Sequence, residues 1–344
     1  MLKIREPLPW FQASLIRLGS LMLALFLGGS WFALLGYQPE QVFTILWQGA
    51  LQNEIARAAT LKTALPLTGA ALALLPAFRM GFWNIGAEGQ IMLGAIGASL
   101  VALFVPTAHP LPLMLGAALL FGGFWGLLPA LFKAYRQVNE TLFSLMLNYI
   151  AIGLTVYLVS HPWRDPAGTY PKAAMFSQSA RLPEWGGLSL SWLFILGVIF
   201  FLAWYLNYTR SGYELTVLGE SPKTAHYAGM PIVRIILQNM FLSGALAGLV
   251  GFLLVSGSAY TLTPNTSANY GYTAIAVAWL GRLNPWAMFP IAFLIAILNK
   301  GSQTLQTVLG IPSSGSEVLL GILFFAMLIG EFFIRYQISR KDKP

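Results

Sequence analysis

The sequence predicts an all-α polytopic membrane protein of about ten transmembrane helices. Hydrophobic residues make up 57% of the 344 and charged residues only 9%, where a soluble chain is nearer a quarter charged. Mean hydropathy is +0.68. Apolar runs of about the length a bilayer requires recur from end to end, with basic residues between them. The formal charge of +8 therefore reads as membrane orientation, and no nucleic-acid partner is expected. The chain has no cysteine, which excludes disulfides, thiolate metal sites and cysteine nucleophiles.

The candidate spans follow in order. Residues 1–14 form an N-terminal segment carrying Lys3 and Arg5. Leu15–Gly36 is the first span and not a signal peptide, because no small-residue cleavage site follows it. Gln38–Ala59 is an outward loop whose amphipathic piece, Val42–Ile55, suits the membrane surface. Thr60–Phe78 is a weak span, since Pro66 and Pro76 interrupt it. Gly81–Val105, Leu111–Phe132 and Val138–Val159 come next. The loop 160–187 holds Pro162, Pro166, Pro171, Pro183, Trp163 and Trp185. It reads as an ordered extracytoplasmic docking loop or as an interfacial aromatic belt. Leu188–Tyr208 leads to the loop 209–234, and Ile235–Ser256 follows. Gly271–Leu280 is too short to span unaided and suits a broken segment enclosed by protein. Trp286–Leu305 and Gly315–Ile334 complete the transmembrane domain, 15–335, ahead of the tail 336–344. Ten spans put both termini on one side. The loops on that side carry fourteen Lys and Arg against five on the other, which makes both termini cytoplasmic.

Polar residues inside apolar segments point to function. Asn84, Glu88 and Gln90 lie in the stretch GFWNIGAEGQIMLGAIG. A carboxylate in a bilayer costs roughly 2.5–3.5 kcal/mol on insertion scales, so it faces protein or a watery path. Asn84 and Glu88 are four apart and share a helix face. With Asn148 and Tyr149 they are candidates to line a pathway for a polar solute. The alternative is interhelical hydrogen bonding worth about 1 kcal/mol. Glu88 needs a partner of its own, and Arg79 and Lys300 are candidates. Trp83, Phe82 and Trp279 can stack on a flat ring or simply pack. Asn139 reads as an N-cap, with Glu140 at the positive end of its helix. Glu317, near Ser313 and Ser316, reads as a cap too.

The loop 209–234 contains a short-helix signature. Ser221 is an N-cap, Pro222 suits the first helical position, and Gly229 with Pro231 provides the stop. The expected helix, Pro222–Ala228, is about two turns long. It is too short to be stable alone, so it must pack on its own spans or in a partner's groove. His226 on it reads as a contact residue.

This segment, GESPKTAHYAG from Gly219 to Gly229, resembles the coupling helix of ABC-importer permeases for simple sugars and nucleosides, whose pattern is close to GENPxAAxYAGI. GFWNIGAEGQ is similar to the family's G-x-FNIGxEGQ, and VNETLFSLMLNYIA to its NExxxTLMLNYIA. GYTAIAVAWLGRLNP is similar to GIAVALLGRxNP, and IPSSGSEVLLGILFFAMLI to the terminal helix. The wording is closer to the nucleoside branch. Departures at Phe143, Ser144 and Ser313–Ser316 bear on substrate choice. The resemblance implies a vitamin-B12-importer-like (type II) ABC permease fold in the bacterial plasma membrane. It implies a separate ABC ATPase, often a fused double ATPase, docking at Gly219, Glu220, Ser221, Pro222, Ala225, His226, Tyr227 and Gly229. It also implies a second, non-identical permease and an extracytoplasmic solute-binding lipoprotein. The solute would be a nucleoside or, alternatively, a simple sugar.

Missing motifs narrow the classes further. There is no G-x-x-x-x-G-K-[ST] loop and no H-E-x-x-H, and the only aspartates are Asp165 and Asp342. No enzyme activity and no cofactor are expected, and an intramembrane lipid enzyme is disfavoured. A secondary transporter with Glu88 or Glu317 carrying a proton is the remaining rival.

Overall fold

The computed structural model describes residues 2–4, 9–185 and 188–338. Arg5, Gly187 and most of the predicted tail, 339–344, lie outside the described residues. In chain order the elements are β1 (Leu2–Ile4), α1 (Trp10–Leu34), α2 (Pro39–Leu51), α3 (Glu54–Arg79), α4 (Ala87–Phe104), α5 (Pro110–Arg136) and α6 (Glu140–Ser160). Then come β2 (Glu184–Trp185), β3 (Leu188–Ser189), α7 (Ser191–Tyr208), α8 (Arg210–Glu220), α9 (Pro222–Tyr227) and α10 (Ile232–Leu254). The last are α11 (Tyr270–Leu280), α12 (Pro285–Leu309), α13 (Ser313–Arg335) and β4 (Tyr336–Ile338). Nine helices among the described residues are long and apolar enough to cross a membrane, and α11 is a tenth, shorter apolar helix. At 11 residues it covers about 16 Å, roughly half of a hydrocarbon core.

The chain divides into two compact units, Met1–Thr60 with Leu294–Pro344, and Leu61–Phe293. In the first, β1 pairs antiparallel with β4, Leu2 opposite Ile338. Arg17 on α1 donates from Nε to Glu331 Oε1 on α13 at 2.7 Å. The core gathers Phe32, Val42, Leu46, Leu305, Ile311 and Leu319. Helix α2 buries Val42, Leu46 and Ala50 at four-residue spacing, the single stripe of an amphipathic helix. That stripe is seated on α12: a Cβ at Gly301 would overlap the Leu46 backbone, and one at Gly49 would overlap Thr304. The amphipathic piece expected at the membrane surface is thus covered by protein on its apolar face.

The second unit is built on a glycine-packed trio, α4, α5 and α10. Gly122 and Gly126 on α5, and Gly244 and Gly248 on α10, are spaced four apart, so each pair lies on one helix face. A Cβ at Gly248 would overlap the Ala118 carbonyl, and one at Gly94 on α4 would overlap Gly248. Without side chains the backbones touch, which gives membrane helices their dispersion contacts when lipid is as apolar as leucine. Helix α3 runs unbroken through Pro66 and Pro76 and is almost wholly buried. A span that reads as weak in the sequence is thus among the most buried, and both prolines lie in its buried part.

In the connection between α6 and α7, residues 161–185 are tied to the segment after α10 by backbone hydrogen bonds. Ala173 and Phe176 donate their backbone N–H groups to the carbonyls of Leu262 and Tyr260 at 2.9 Å, and Leu182 donates to that of Ser256 at 2.8 Å. Ala173, Phe176 and Ala180 are buried. Tyr260 donates its hydroxyl to Glu184 at 2.8 Å, and Lys62 lies 3.6 Å from the same carboxylate. The Tyr260 hydrogen bond, with Lys62 second among the favourable partners, holds the Glu184 carboxyl below its ordinary range.

Candidate functional site: a broken-helix junction and an exposed short helix

Residues 80–86 are not helical, although they sit between two apolar spans. Buried backbone without helical bonds must find other partners, and here side chains supply them. Ser144 on α6 accepts the Ile85 N–H at 3.2 Å. Asn84 accepts the Gly86 N–H through its own Oδ1 at 2.9 Å. Asn148 accepts the Gly89 N–H at 2.9 Å and donates to the Ile85 carbonyl at 2.9 Å. Gly89 is the third residue of α4, so its N–H is among those a helix start leaves unbonded. Asn84 and Gln90 close on each other amide to amide, 3.2 Å in both directions, and Asn84 also donates to Ser243 on α10 at 3.1 Å. Asn84, Gln90, Ser144, Asn148 and Ser243 are all buried.

Glu88 does not pair with Arg79 or Lys300. Its carboxylate accepts from the Ser267 hydroxyl at 2.5 Å, the Asn269 N–H at 3.2 Å and the Gly271 N–H at 2.7 Å. Asn269 is the N-cap of α11 and Gly271 its second residue. The charge is therefore met by the positive end of α11, whose unbonded N–H groups suit an anion. Gly271 is required for this approach, because a Cβ there would overlap the backbone of Glu88.

Helix α11 is bracketed by unusual backbone. Upstream lie a π-helical turn, Val255–Ala259, and the left-handed residues Tyr260, Ala268 and Asn269; downstream are left-handed Arg282 and Leu283. Left-handed geometry costs a non-glycine residue roughly 1–2 kcal/mol, less for asparagine. One side of α11 faces the core through Gly271, Ala274, Val277 and Ala278. The other carries Tyr272 and, two turns on, Trp279, which is exposed. Tyr272 accepts a hydrogen bond from Asn148 at 3.2 Å. The indole of Trp279 stacks on Trp83, centroids 5.4 Å apart and planes at 25°, and on Phe78 at 5.7 Å. Trp83 is 49% and Tyr149 67% exposed.

The predicted candidates therefore fall into two groups. Asn84, Glu88, Gln90 and Asn148 are brought together in one buried network, while Trp83 and Tyr149 stand at the surface. Asn139 does cap α6, accepting the N–H groups of Thr141 and Leu142. Glu140 beside it pairs with Lys133 at 2.9 Å. Ser243, Ser267 and Tyr272 are not distinguished in the sequence, and Ser144 only as a departure from the family pattern; single hydroxyls in apolar helices carry little signal until their partners are known.

The second assembly is the α8–α9 connection. Ser221 caps α9 by accepting the Thr224 N–H at 3.2 Å, Pro222 is its first residue, and Gly229 is left-handed at φ +68°. Ala225 is fully buried, whereas Gly219, Glu220, His226 and Tyr227 are exposed, Tyr227 at 89%. So α9 is anchored through one alanine and presents the rest outward. Beside it lies a cleft of about 450 Å³ lined by Met80, Phe82, Lys133, Glu140, Leu218 and Pro222. Helix α8 was missed in the sequence. Its signals are the Thr209 cap on the Gly212 N–H and the apolar spacing of Leu215 and Leu218.

Residues 57–328 match the family described as branched-chain amino acid transport system / permease component. Among relatives, the chain is 31% identical to the glucose ABC transporter permease protein TsgB13 of Haloferax volcanii, covering 93% of this chain and 88% of the relative. It is 28% identical to the guanosine ABC transporter permease protein NupP of Bacillus subtilis, covering 96% and 97%. Identity to the nucleoside ABC transporter permease protein NupB of Lactococcus lactis is 26%, over 92% and 90%.

Proposed function

The chain belongs to the branched-chain amino acid transport system / permease component family, and from that premise we propose that it is the permease of an ATP-driven importer for nucleosides. It is a multi-pass membrane protein, and two nucleoside or guanosine permeases align with it over more than nine tenths of its length. That alignment is the observation that carries the reading. A simple-sugar solute is the second reading, favoured by the glucose permease relative.

Orientation follows from the excess of basic residues on the α9 side, which makes that side and both termini cytoplasmic. A separate ATPase, in fused double form, docks on the exposed face of α9 through Glu220, His226 and Tyr227, while Ser221, Pro222, Ala225, Gly219 and Gly229 shape the helix and its anchorage. A second, non-identical permease completes the pathway. A solute-binding lipoprotein docks on the loop between α6 and α7. The solute passes the exposed rings of Trp83 and Tyr149, beside Tyr272 and Trp279, which suit a flat base or the face of a sugar. Asn84, Glu88, Gln90 and Asn148 form the wall behind those rings.

Competition decides the solute class. Uptake of radiolabelled guanosine should be blocked by excess nucleoside and unaffected by excess glucose. The reverse result moves the assignment to sugars.

A further inference from the structure

Three observations converge on α11. It is too short to cross the bilayer, covering about half its apolar thickness. It is bracketed by left-handed non-glycine residues, Ala268 and Asn269 before it and Arg282 and Leu283 after it, with a π-helical turn upstream. Its N-terminus is held by the Glu88 carboxylate through Ser267, Asn269 and Gly271, with Tyr272 bonded besides by Asn148. Strained backbone that persists at two ends of one rigid segment is the arrangement expected of a hinged element. The α4, α5 and α10 trio, by contrast, is closed by backbone contacts at Gly94, Gly122, Gly244 and Gly248.

We propose that α11 is the moving gate of this permease, and that Glu88 is the positioning residue that latches it in the conformation seen. The gate's role in transport rests on the reading above; the latch does not. When latched, α11 keeps Ala274 and Ala278 buried and sets Trp279 against Trp83 and Phe78. Released at Glu88, it turns on the two left-handed pairs. The aromatic face is then withdrawn from Trp83, and the ring stack that narrows this side of the junction opens. Gly271 keeps the latch short, since any side chain there would push α11 off Glu88.

The absence of cysteine makes the test clean. A single thiol is introduced as Ala278→Cys on the buried face of α11, and separately as Ala95→Cys in the glycine-packed core, both fully buried positions. Maleimide labelling rates are measured on the purified full chain in lipid nanodiscs, with Glu88 native or changed to Gln or Asp. Glu88→Gln should raise labelling at position 278 at least tenfold and leave position 95 protected, with Glu88→Asp in between because it keeps the charge. Equal rates at position 278 would overturn the latch. A parallel rise at positions 278 and 95 would also overturn it, since Glu88 would then hold the whole fold and not α11. No ATPase, binding protein or solute enters the measurement, so its failure is distinct from failure of the importer reading.

Discussion

Asn148→Leu separates a structural joint from a solute contact. The leucine matches asparagine closely in size but removes three hydrogen bonds, to the Gly89 N–H, the Ile85 carbonyl and the Tyr272 hydroxyl. The Tyr272 hydroxyl is only partly buried and can find water. The Gly89 N–H lies in a buried bond and cannot, while the Ile85 carbonyl, in a part-buried one, is shielded mainly by Asn148, which is fully buried. Each buried group left unpaired costs about 1–3 kcal/mol. Measured interhelical bonds in membranes average nearer 0.6 kcal/mol, which pulls the sum down to about 2–4 kcal/mol. Unfolding by SDS titration of the purified chain reads this directly. Asn148→Asp, which still accepts from Gly89 but no longer donates to Ile85, should fall between. In the assembled transporter, the surviving Asn148→Leu protein should keep its KM for solute. A loss of stability below about 0.5 kcal/mol, or a KM raised tenfold in a stable protein, would refute the reasoning.

The remaining predictions concern other parts of the fold. Gly248→Leu should cost about 1–3 kcal/mol or more by overpacking against α5, whereas Gly153→Ala, which meets no neighbour, should be neutral or slightly stabilising on the same titration. Ser221→Ala removes the α9 cap, costs about 1 kcal/mol locally, and should lower uptake per ATP hydrolysed more than it lowers hydrolysis itself. The outer loop should loosen in acid. Glu184 is held below its ordinary range by Tyr260 and Lys62, so its contribution is complete above the ordinary carboxylate pKa and lost as pH falls through the depressed one. Hydrogen exchange at the Leu190 N–H, bonded to the Pro183 carbonyl, should report this, and Tyr260→Phe should move the loosening to higher pH.

Much of this architecture is legible in the sequence, because membrane spans announce themselves by length and hydropathy. The cap–proline–glycine signature placed α9 within a residue of its observed end, since each of those residues acts locally. The prolines of α3 misled for the opposite reason: their cost depends on neighbours that sequence does not show. Glu88 was recognised as needing a partner, yet the partner is a helix end 180 residues away. A search among Arg and Lys could not find N–H groups. The glycines of α5 and α10 carry a spacing signal that was readable, and what they touch was not. Asn84, Gln90 and Asn148 stand out in the sequence as polar residues within apolar segments. Their burial in one network is a property of the break at 80–86, which only the folded chain reveals.

The most direct test of the central claim is uptake into proteoliposomes holding this chain, its partner permease and the ATPase, with binding protein outside and ATP inside. The account predicts nucleoside uptake that requires ATP and disappears when α9 is broken by Ala225→Pro. Uptake by this chain alone, driven by a pH gradient and indifferent to ATP, would contradict it.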